Sequence, residues 1–499
     1  MRPLPFALVL LAPSLALATT YQVGAARTYG SPCKLAAAVA LMPGDVVEVD
    51  AGTYTDACQL TASGTAAAPI VMRGVSGPRP VFDATGLDLS GAGSVPRAIF
   101  QLTNASYWVV EHLELTHASN GSNNGAGVRL TAGAHDVTFR DLSIHDNQDG
   151  AMSDGPSVLT IENSDIYANG ANDGQSHNLY LQGDTVRLVG NYIHDSVGGQ
   201  NVKLRTRYVE IVANVIENAG NYEIDLIQGQ YTSMPNANAI LIGNVIVRAT
   251  SADNNSQTIL FGTDNPNDTT PSRNGALYAI NNTFVLRNAS NRLFHVLTSA
   301  SAPAATHVYL YNNIIHATVA GTQLTSDATT EGYTTGSTTF ITTGVGGVPA
   351  ALTGTITGTD PHFLGSDDYE LATGSPAIDV GDANPMYADG TGAMQDGSPT
   401  RQPRWPQLGA DTRTVVGAGV DLGAYELGNP AGNDIGDVVH GDDAGSGTGK
   451  KSGGCCDAGG TGGGGAGLLA LLVGVALGRR RERTAWRRER TAWRRLGAA

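Results

Sequence analysis

Short runs in which apolar and polar residues alternate recur along the middle of the chain. Each run is seven or eight residues long, is rich in β-branched residues, and bends at Asn or Gly or a charged residue before its last apolar positions. This alternation predicts a strand, a tight corner and a second strand. The runs are WVVEHLEL (108–115), VTFRDLSI (137–144), LTIENSDI (159–166), VRLVGNYI (186–193), VEIVANVI (209–216), ILIGNVI (240–246), LYAINNTF (277–284) and VYLYNNII (308–315).

The spacing of these runs predicts the architecture. Their final apolar residues lie 29, 22, 27, 23, 30, 38 and 31 residues apart, and the extra length is rich in Gly, Asn, Ser and Pro. A minimum of 22 to 23 residues per turn is typical of a β-solenoid coil that carries loops on one side. A propeller blade needs about 40 residues, and leucine-rich repeats need regular leucines. We therefore expect an all-β chain whose stacked coils bury Leu115, Ile144, Ile166, Ile193, Ile216, Ile246, Phe284 and Ile315.

The repeated runs resemble the right-handed parallel β-helix of pectate-lyase-like proteins over roughly residues 20–330, and the resemblance implies the handedness. A short apolar helix over residues 34–42 precedes the expected first strand, at residues 46–49, with Ser31 as N-cap and Pro32 at its first position. Such a helix is expected to cap the N-terminal end of the stack, which otherwise exposes core and unpaired backbone.

Composition and charge narrow the class of function. The 499 residues include 64 glycines and only 15% charged residues, which suits turns and short strands better than helices. The formal net charge is -15, and 9 of the 30 Lys and Arg lie in residues 479–495. The rest of the chain is therefore more acidic still, which argues against a nucleic-acid binder.

The N-terminus has the layout of a secretory signal peptide. Arg2 precedes an apolar run from Phe6 to Ala18 that ends in small residues, so residues 1–18 are expected to be cleaved and the protein exported. Only four cysteines are present. In an oxidising compartment Cys33 and Cys58 are expected to form a disulfide, the alternative being two buried thiols.

The C-terminal third changes composition in three steps. Residues 331–427 resemble the choice-of-anchor Q segment through SPAID (375–379) and DLGAYE (421–426), and we interpret them as a closing β cap in which Asp379 and Asp421 fix turns. Residues 428–464 form a linker rich in Gly and Asp. Residues 465–499 combine a short apolar run with a basic tail, and with Cys455-Cys456 before them they resemble the MYXO-CTERM sorting segment of myxobacterial surface proteins. The resemblance implies a cell-surface or outer-membrane location, with release to the medium as the alternative.

Two consecutive coils without insertions allow a register to be predicted. The segments HNLYLQ (177–182), QNVKLR (200–205) and GNYEID (220–225) align with offsets of 23 and 20 residues. The inward residues are then the ladder Asn178, Asn201 and Asn221 and the core column Leu181, Leu204 and Ile224. The outward columns are Tyr180, Lys203 and Glu223 in one and Gln182, Arg205 and Asp225 in the other, with His177 at their margin.

These outward residues are the candidate site. Lys203 is the only lysine between Lys34 and Lys450, and as an outward residue it is expected to contribute little to stability. The series resembles secreted bacterial β-helix proteins with H-N-I-Y, K-S-R and Y-E-I-D-L motifs, although Leu204 replaces the serine.

Within this fold, a lysine and an arginine on one sheet resemble polysaccharide lyases that act on uronate polymers. The resemblance implies Lys203 as base, Arg205 as carboxylate neutraliser oriented by Asp225, and Tyr180 stacking on sugar or passing a proton, with His177 beside them.

Other interpretations of the same residues stay open. Arg205 favours the uncharged amine that a lysine base requires, whereas Glu223 and Asp225 favour the ammonium. Glu223, Asp225 and Asp154 are also candidate ligands for Ca²⁺, and Asp154 with Asp225 is a loose candidate for a hydrolase pair. Finally, the charges could be ordinary ion pairs on a solvated face. The function is then either that of a polysaccharide-binding or lyase-like protein, or that of a non-catalytic structural or adhesive surface protein.

Overall fold

A computed structural model describes residues 18–155, 157–248, 257–267, 270–299 and 303–429. The predicted signal peptide up to residue 17 lies outside these residues, as do the linker and sorting segment from residue 430 onward, including Cys455 and Cys456. The regular secondary structure of the described part is almost entirely β, with two short helices, Pro32–Ala38 and Ala328–Tyr333. In this part, neither helix has the length and hydropathy needed to cross a bilayer.

Parallel strands from successive coils form three faces, and each coil passes through them in order. The first sheet contains Thr20–Val23, Val46–Val49, Ile70–Gly74, Ser106–Glu111, His135–Arg140, Val158–Glu162, Ala239–Ile242, Ala276–Ile280, His307–Tyr311, Thr334–Ser337 and Leu352–Thr353.

The second sheet contains Thr53–Tyr54, Val81–Asp83, Glu114–Thr116, Ser143–His145, Asp165–Tyr167, Tyr192–His194, Val215–Glu217, Val245–Arg248, Thr283–Leu286, Ile314–Ala317, Phe340–Thr342 and Ile356–Gly358.

The third sheet contains Cys58–Leu60, Ala98–Thr103, Ala126–Thr131, Asp149–Ser153, Ile224–Leu226, Gln257–Gly262, Arg292–Leu297 and Gln323–Thr325. Two strands of 11 residues, Leu179–Val189 and Val202–Val212, pair in the third sheet through their first half and in the first sheet through their second half. The protein is therefore a parallel β-helix solenoid, as the spacing of the apolar runs predicts.

The predicted burial of the final apolar residue of each run is confirmed along the whole series. The final apolar residue of each run pairs with its counterpart in the next coil of the second sheet, from Leu115 to Ile315. All eight of these side chains have no exposed surface. The alternation of apolar and polar residues predicts these buried positions correctly because a strand presents every second side chain to the interior.

A ladder of asparagines makes the corner between the first and second sheets. The amide oxygen of each one accepts the backbone N–H of its counterpart in the preceding coil, at 2.9 to 3.0 Å. The residue before each takes a left-handed backbone conformation, which suits Gly and Asn and is the reason that these corner residues recur. The ladder consists of Asn191, Asn214, Asn244, Asn282 and Asn313.

The N-terminal cap differs from the prediction in two details. The helix ends at Ala38 rather than residue 42, because Val39 is extended and the chain then carries Leu41 into the core. A strand, Thr20–Val23, precedes the helix and pairs with Val46–Val49, so the latter is the second strand of the stack. Cys33 and Cys58 form the predicted disulfide, which ties the helix to the third sheet.

The β-helix continues to Gly358, beyond the predicted end at residue 330. Three antiparallel hairpins follow, formed by Phe363–Gly365 with Asp368–Leu371, Met386–Ala388 with Met394–Asp396, and Arg401–Pro403 with Ala410–Thr412.

These hairpins and the chain around them pack along the side of the coils. We call residues 359–429 the flank segment. Trp405 and Leu408 contact outward side chains of the second sheet such as Tyr192, and Tyr387 contacts Tyr278 of the first sheet. The segment predicted to cap the end of the stack therefore lies along its side. It covers outward columns of side chains on these coils, which are apolar. Asp379 and Asp421 do accept backbone N–H groups in turns, as predicted.

Candidate functional site

The outward face of the third sheet carries the predicted site residues, with one change of register. Tyr180 pairs with Lys203 and Gln182 with Arg205, as the offset of 23 predicts. The next coil follows with an offset of 22 rather than 20, so Lys203 lies beside Asp225. The predicted neighbours Lys203 with Glu223 and Arg205 with Asp225 are therefore wrong.

Glu223 explains the shift, because it takes the ladder position that Asn221 was predicted to hold. The Asn201 side chain accepts from Asn178 at 2.8 Å and donates to a Glu223 carboxylate oxygen at 2.7 Å. Glu223 also accepts from Arg248 at 3.2 Å, and both side chains are fully buried. Burial raises the pKa of Glu223 to about 7. Glu223 therefore belongs to the interior.

The same shift changes the core column. Leu181 and Leu204 pair in register, and the third member is Leu226 rather than Ile224. Ile224 is buried as well, one position earlier on the inward face, beside Val202.

Lys203 and Asp225 form an ion pair set into the sheet. Nζ of Lys203 lies 3.1 Å from Oδ2 of Asp225, whose side chain has no exposed surface. Gln200 donates to the same oxygen at 3.2 Å. Burial raises the pKa of Asp225, and the Lys203 ammonium opposes this shift. An ammonium held in this way can neutralise a carboxylate, but it can act as a base only after losing its proton.

Arg205 is oriented by three partners, and Asp225 is not among its hydrogen-bond acceptors. Its Nε donates to the Tyr180 hydroxyl at 3.1 Å, Nη1 to the Gln228 carbonyl at 2.5 Å, and Nη2 to Oδ2 of Asp264 at 2.8 Å. Burial opposes the positive charge, but Tyr180 and Asp264 raise the pKa of Arg205 above its ordinary value. The orienting role predicted for Asp225 thus belongs to Asp264, which lies 59 residues away in sequence.

His177 is buried at the edge of this face. Its Nδ1 accepts the backbone N–H of Gln200 at 3.1 Å, which leaves the proton on Nε2. The ring meets Tyr180 edge to face at 5.5 Å. Burial and the nearby Lys203 lower the pKa of His177 to about 3, so at neutral pH it is an uncharged hydrogen-bond donor.

Asp149 is a site residue that sequence reasoning missed. It lies one coil before His177, whose backbone N–H it accepts at 2.9 Å. Burial raises its pKa to about 7, against the favourable charge of Arg129. The alignment of HNLYLQ could have been extended one coil back, because Met152 pairs with Tyr180 in the same sheet.

The predicted metal ligands are not brought together. Asp154 pairs with Arg129 at 2.7 Å, Asp225 with Lys203, and Glu223 lies inside with Arg248. Across residues 18–429, as far as the structure describes them, no group of three His, Cys, Asp or Glu side chains is suited to a metal ion. Calcium binding stays a prediction that these observations do not test.

The predicted hydrolase pair does not have the separation that such chemistry needs. Asp154 and Asp225 lie on coils three steps apart along the stack. At roughly 4.8 Å per coil this is about 14 Å, whereas paired glycosidase carboxylates lie about 5 to 9.5 Å apart.

Neither a protein-family model nor a curated protein matches the sequence. Several solved structures have a similar architecture. Pectate lyase Pel9A has a TM-score of 0.49 at 17% identity, with 83% of this chain and 97% of that chain covered. Alginate lyase from Paenibacillus sp. str. FPU-7 has a TM-score of 0.43 at 18% identity, over 58% of this chain and 93% of that one. A rhamnogalacturonan lyase has a TM-score of 0.41 at 15% identity, over 62% and 84%. By its fold, this chain is an all-β parallel β-helix protein.

Proposed function

We propose that this protein is exported, held at the cell surface, and binds and cleaves an acidic polysaccharide by β-elimination at uronate residues. The observation that carries the proposal is the pair Lys203 and Arg205, two cations that project from one strand of an otherwise acidic protein. Asp225, Asp264 and Tyr180 hold both cations in fixed positions. A fixed pair of cations is complementary to a substrate carboxylate and to the charge that develops beside it during elimination.

The residues fit the steps of such a reaction. Lys203 and Arg205 neutralise the uronate carboxylate, which acidifies the hydrogen on the neighbouring carbon. Tyr180 accepts a hydrogen bond from Arg205, which positions its oxygen as the group that removes this proton. A carbon–carbon double bond forms as the bond to the glycosidic oxygen breaks, and that oxygen takes the proton from Tyr180, which returns to its starting state. His177 is buried and packs edge to face against the Tyr180 ring, so it positions Tyr180.

The test is turnover on a panel of uronate polysaccharides and neutral glycans, followed by the ultraviolet absorbance of the unsaturated product. We expect product only from uronate polymers. Arg205→Lys should reduce turnover by about 100-fold because a lysine cannot reproduce the three directed hydrogen bonds. Arg207→Lys is the matched control, since Arg207 is the next outward residue of the same strand and pairs with Asp184 instead. Equal losses in both variants, or no unsaturated product from any uronate polymer, would contradict elimination.

A structural or adhesive role is the alternative, and one observation favours it: both cations already have acidic partners within the chain. In that case the protein would bind the same polymers without releasing unsaturated product. Tyr180→Phe separates the two roles, since it removes the hydroxyl that moves the proton and keeps the ring that packs against sugar. Loss of turnover with unchanged binding supports elimination.

Export and anchoring are tested separately, because they depend on segments at the two ends of the sequence. We propose that the signal peptide is removed after Ala18 and that residues 465–499 retain the protein at the surface. The support is the apolar run before Ala18 and the apolar run followed by arginines near the C-terminus. Deleting residues 455–499 should release the protein to the medium, and unchanged retention would show that another segment holds it.

A further inference from the structure

Lys203 and Arg205 share a second acid that belongs to a different coil. Oδ2 of Asp264 lies 2.8 Å from Nη2 of Arg205 and 3.8 Å from Nζ of Lys203. Asp264 follows the strand Gln257–Gly262 and lies in the loop after it. One carboxylate therefore contacts both cations of the proposed site at once.

The two acids at this site differ in their access to solvent. The Asp225 side chain has no exposed surface, whereas the Asp264 side chain is 31% exposed. Asp264 is held by Gln228, whose amide donates to Oδ1 at 2.7 Å and accepts the Asp264 backbone N–H at 3.0 Å. Asp225 is thus enclosed within the sheet, and Asp264 is the acid of the two that solvent or a ligand can reach.

The charges balance only while Asp264 is in place. Lys203 and Arg205 carry two positive charges, and Asp225 and Asp264 carry two negative charges. Moving Asp264 away leaves one positive charge in a partly buried site, where such a charge is costly. An incoming carboxylate would restore the balance, but a neutral sugar would not.

We propose that Asp264 occupies the position of a substrate carboxylate, so that Lys203 and Arg205 form a carboxylate subsite which opens when an anionic sugar displaces Asp264. The uronate nature of the physiological ligand rests on the function proposed above. The anion subsite itself rests on the contacts of Asp264. Asp264 then acts as a specificity residue, because only a ligand with its own negative charge can replace it.

The experiment measures the binding of free galacturonate and of galactose, its neutral counterpart, by calorimetry. Asp264→Asn removes the charge and keeps the shape and the carbonyl acceptor. If an open site is populated about a tenth of the time in the native protein, the variant binds galacturonate about tenfold more tightly. Added salt should weaken this binding, and galactose affinity should be unchanged. Asp184→Asn is the matched control, since it removes a carboxylate from Arg207 on the same strand, 2.7 Å away.

Unchanged or weaker galacturonate binding in Asp264→Asn would overturn the inference. If Asp264→Ala weakens binding and Asp264→Asn restores it, then Asp264 positions Arg205 and does not compete with the ligand. A tighter Asp264→Asn variant that cleaves no polymer would leave the anion subsite standing and refute the elimination proposal. The unfolding midpoints of all three variants identify any loss of binding that reflects misfolding. If Asp264→Asn fails to fold, a folded Asp264→Ala variant must show the tenfold gain in galacturonate affinity instead.

Discussion

Asp225 has no contact with solvent, and its charge is balanced by Lys203. Removing one partner of a buried pair leaves an uncompensated charge and costs about 3 to 5 kcal/mol. We therefore expect Lys203→Met to lower the free energy of unfolding by about 3 kcal/mol, and Asp225→Asn in the same chain to recover most of that loss. Urea denaturation of the two single variants and the double variant measures the coupling.

This expectation corrects the low structural cost that an outward lysine suggests from sequence alone. A loss below about 0.5 kcal/mol in Lys203→Met, typical of exposed ion pairs, would show that Asp225 is hydrated. Binding assays on Lys203 variants therefore need the double variant as reference, because a single variant confounds lost affinity with lost stability.

Asp149 offers a substitution that should stabilise the protein. Burial raises the pKa of Asp149 from its ordinary value of 3.8 to about 7, so the native state holds more protons than the unfolded state between these values. The stability contributed by this group is then highest at acid pH, falls as the pH rises from about 4 to 7, and is constant above that. Asp149→Asn keeps the acceptor for the His177 N–H and removes the charge. We expect a gain of about 2 to 4 kcal/mol at pH 8 that vanishes near pH 4.

Melting temperatures of the native protein and Asp149→Asn from pH 4 to pH 8 check this slope. A variant that is less stable than the native protein at pH 8 would mean that the ionised carboxylate has a favourable partner in the fold.

At the level of strands and corners, the asparagine ladder should be a main source of stability. The Asn214 side chain accepts the Asn191 N–H at 2.9 Å and donates to the Leu188 carbonyl at 2.9 Å. Asn214→Ala leaves buried polar groups without partners, which costs about 1 to 3 kcal/mol for each. We expect a loss of at least about 2 kcal/mol in denaturant unfolding. Asn384→Ala, at an exposed position, is the control and should change stability by less than about 0.5 kcal/mol.

The ladders also explain how far the sequence predicts the register. Alternation specifies the inward columns, because a slip of one residue would turn apolar side chains outward. The offset of 23 is correct for the same reason. The offset of 20 is wrong because it assumes that an asparagine, Asn221, must follow Asn201 in the ladder. Any buried side chain whose acceptor lies within hydrogen-bond distance of Asn201 can take that position. Glu223 does so, and its charge is balanced by Arg248 from another sheet.

The candidate site was predictable only within one strand pair. Tyr180, Lys203 and Arg205 follow from alternation along two adjacent coils. Asp264 and Gln228 lie in loops that follow later strands. Because the lengths of these loops vary, the sequence does not indicate which loop residues contact the outward face of the third sheet. Contacts across loops of variable length have no period, so a pattern of strands does not reveal them.

For the molecule as a whole, the flank segment should be part of the folded core. Leu422 has no exposed surface and packs with Ile314 and Phe340 on the second sheet. Leu422→Ala should lower the free energy of unfolding by about 2 to 5 kcal/mol. Val415→Ala is the control, since Val415 lies in the same segment and is 55% exposed.

Circular dichroism in the β region measures the unfolding of the coils themselves. If the coils melt at an unchanged midpoint in Leu422→Ala, the flank segment is an appendage and contributes nothing to the stack.

The flank segment also constrains the order in which the protein can be made. It touches coils completed far earlier in the chain: the Gly409 N–H donates to the Gly190 carbonyl at 2.9 Å, and Arg207 donates to the Gly390 carbonyl at 2.8 Å. Because the N-terminal part of the chain emerges first, these coils can form while the residues that cover them have yet to emerge. Their apolar outer columns then face water or other chains, the state in which incomplete proteins associate wrongly. The chain therefore most needs protection in the interval before the flank segment has emerged and docked, and variants that weaken the flank segment should lower the yield of soluble protein more than their effect on the finished fold implies.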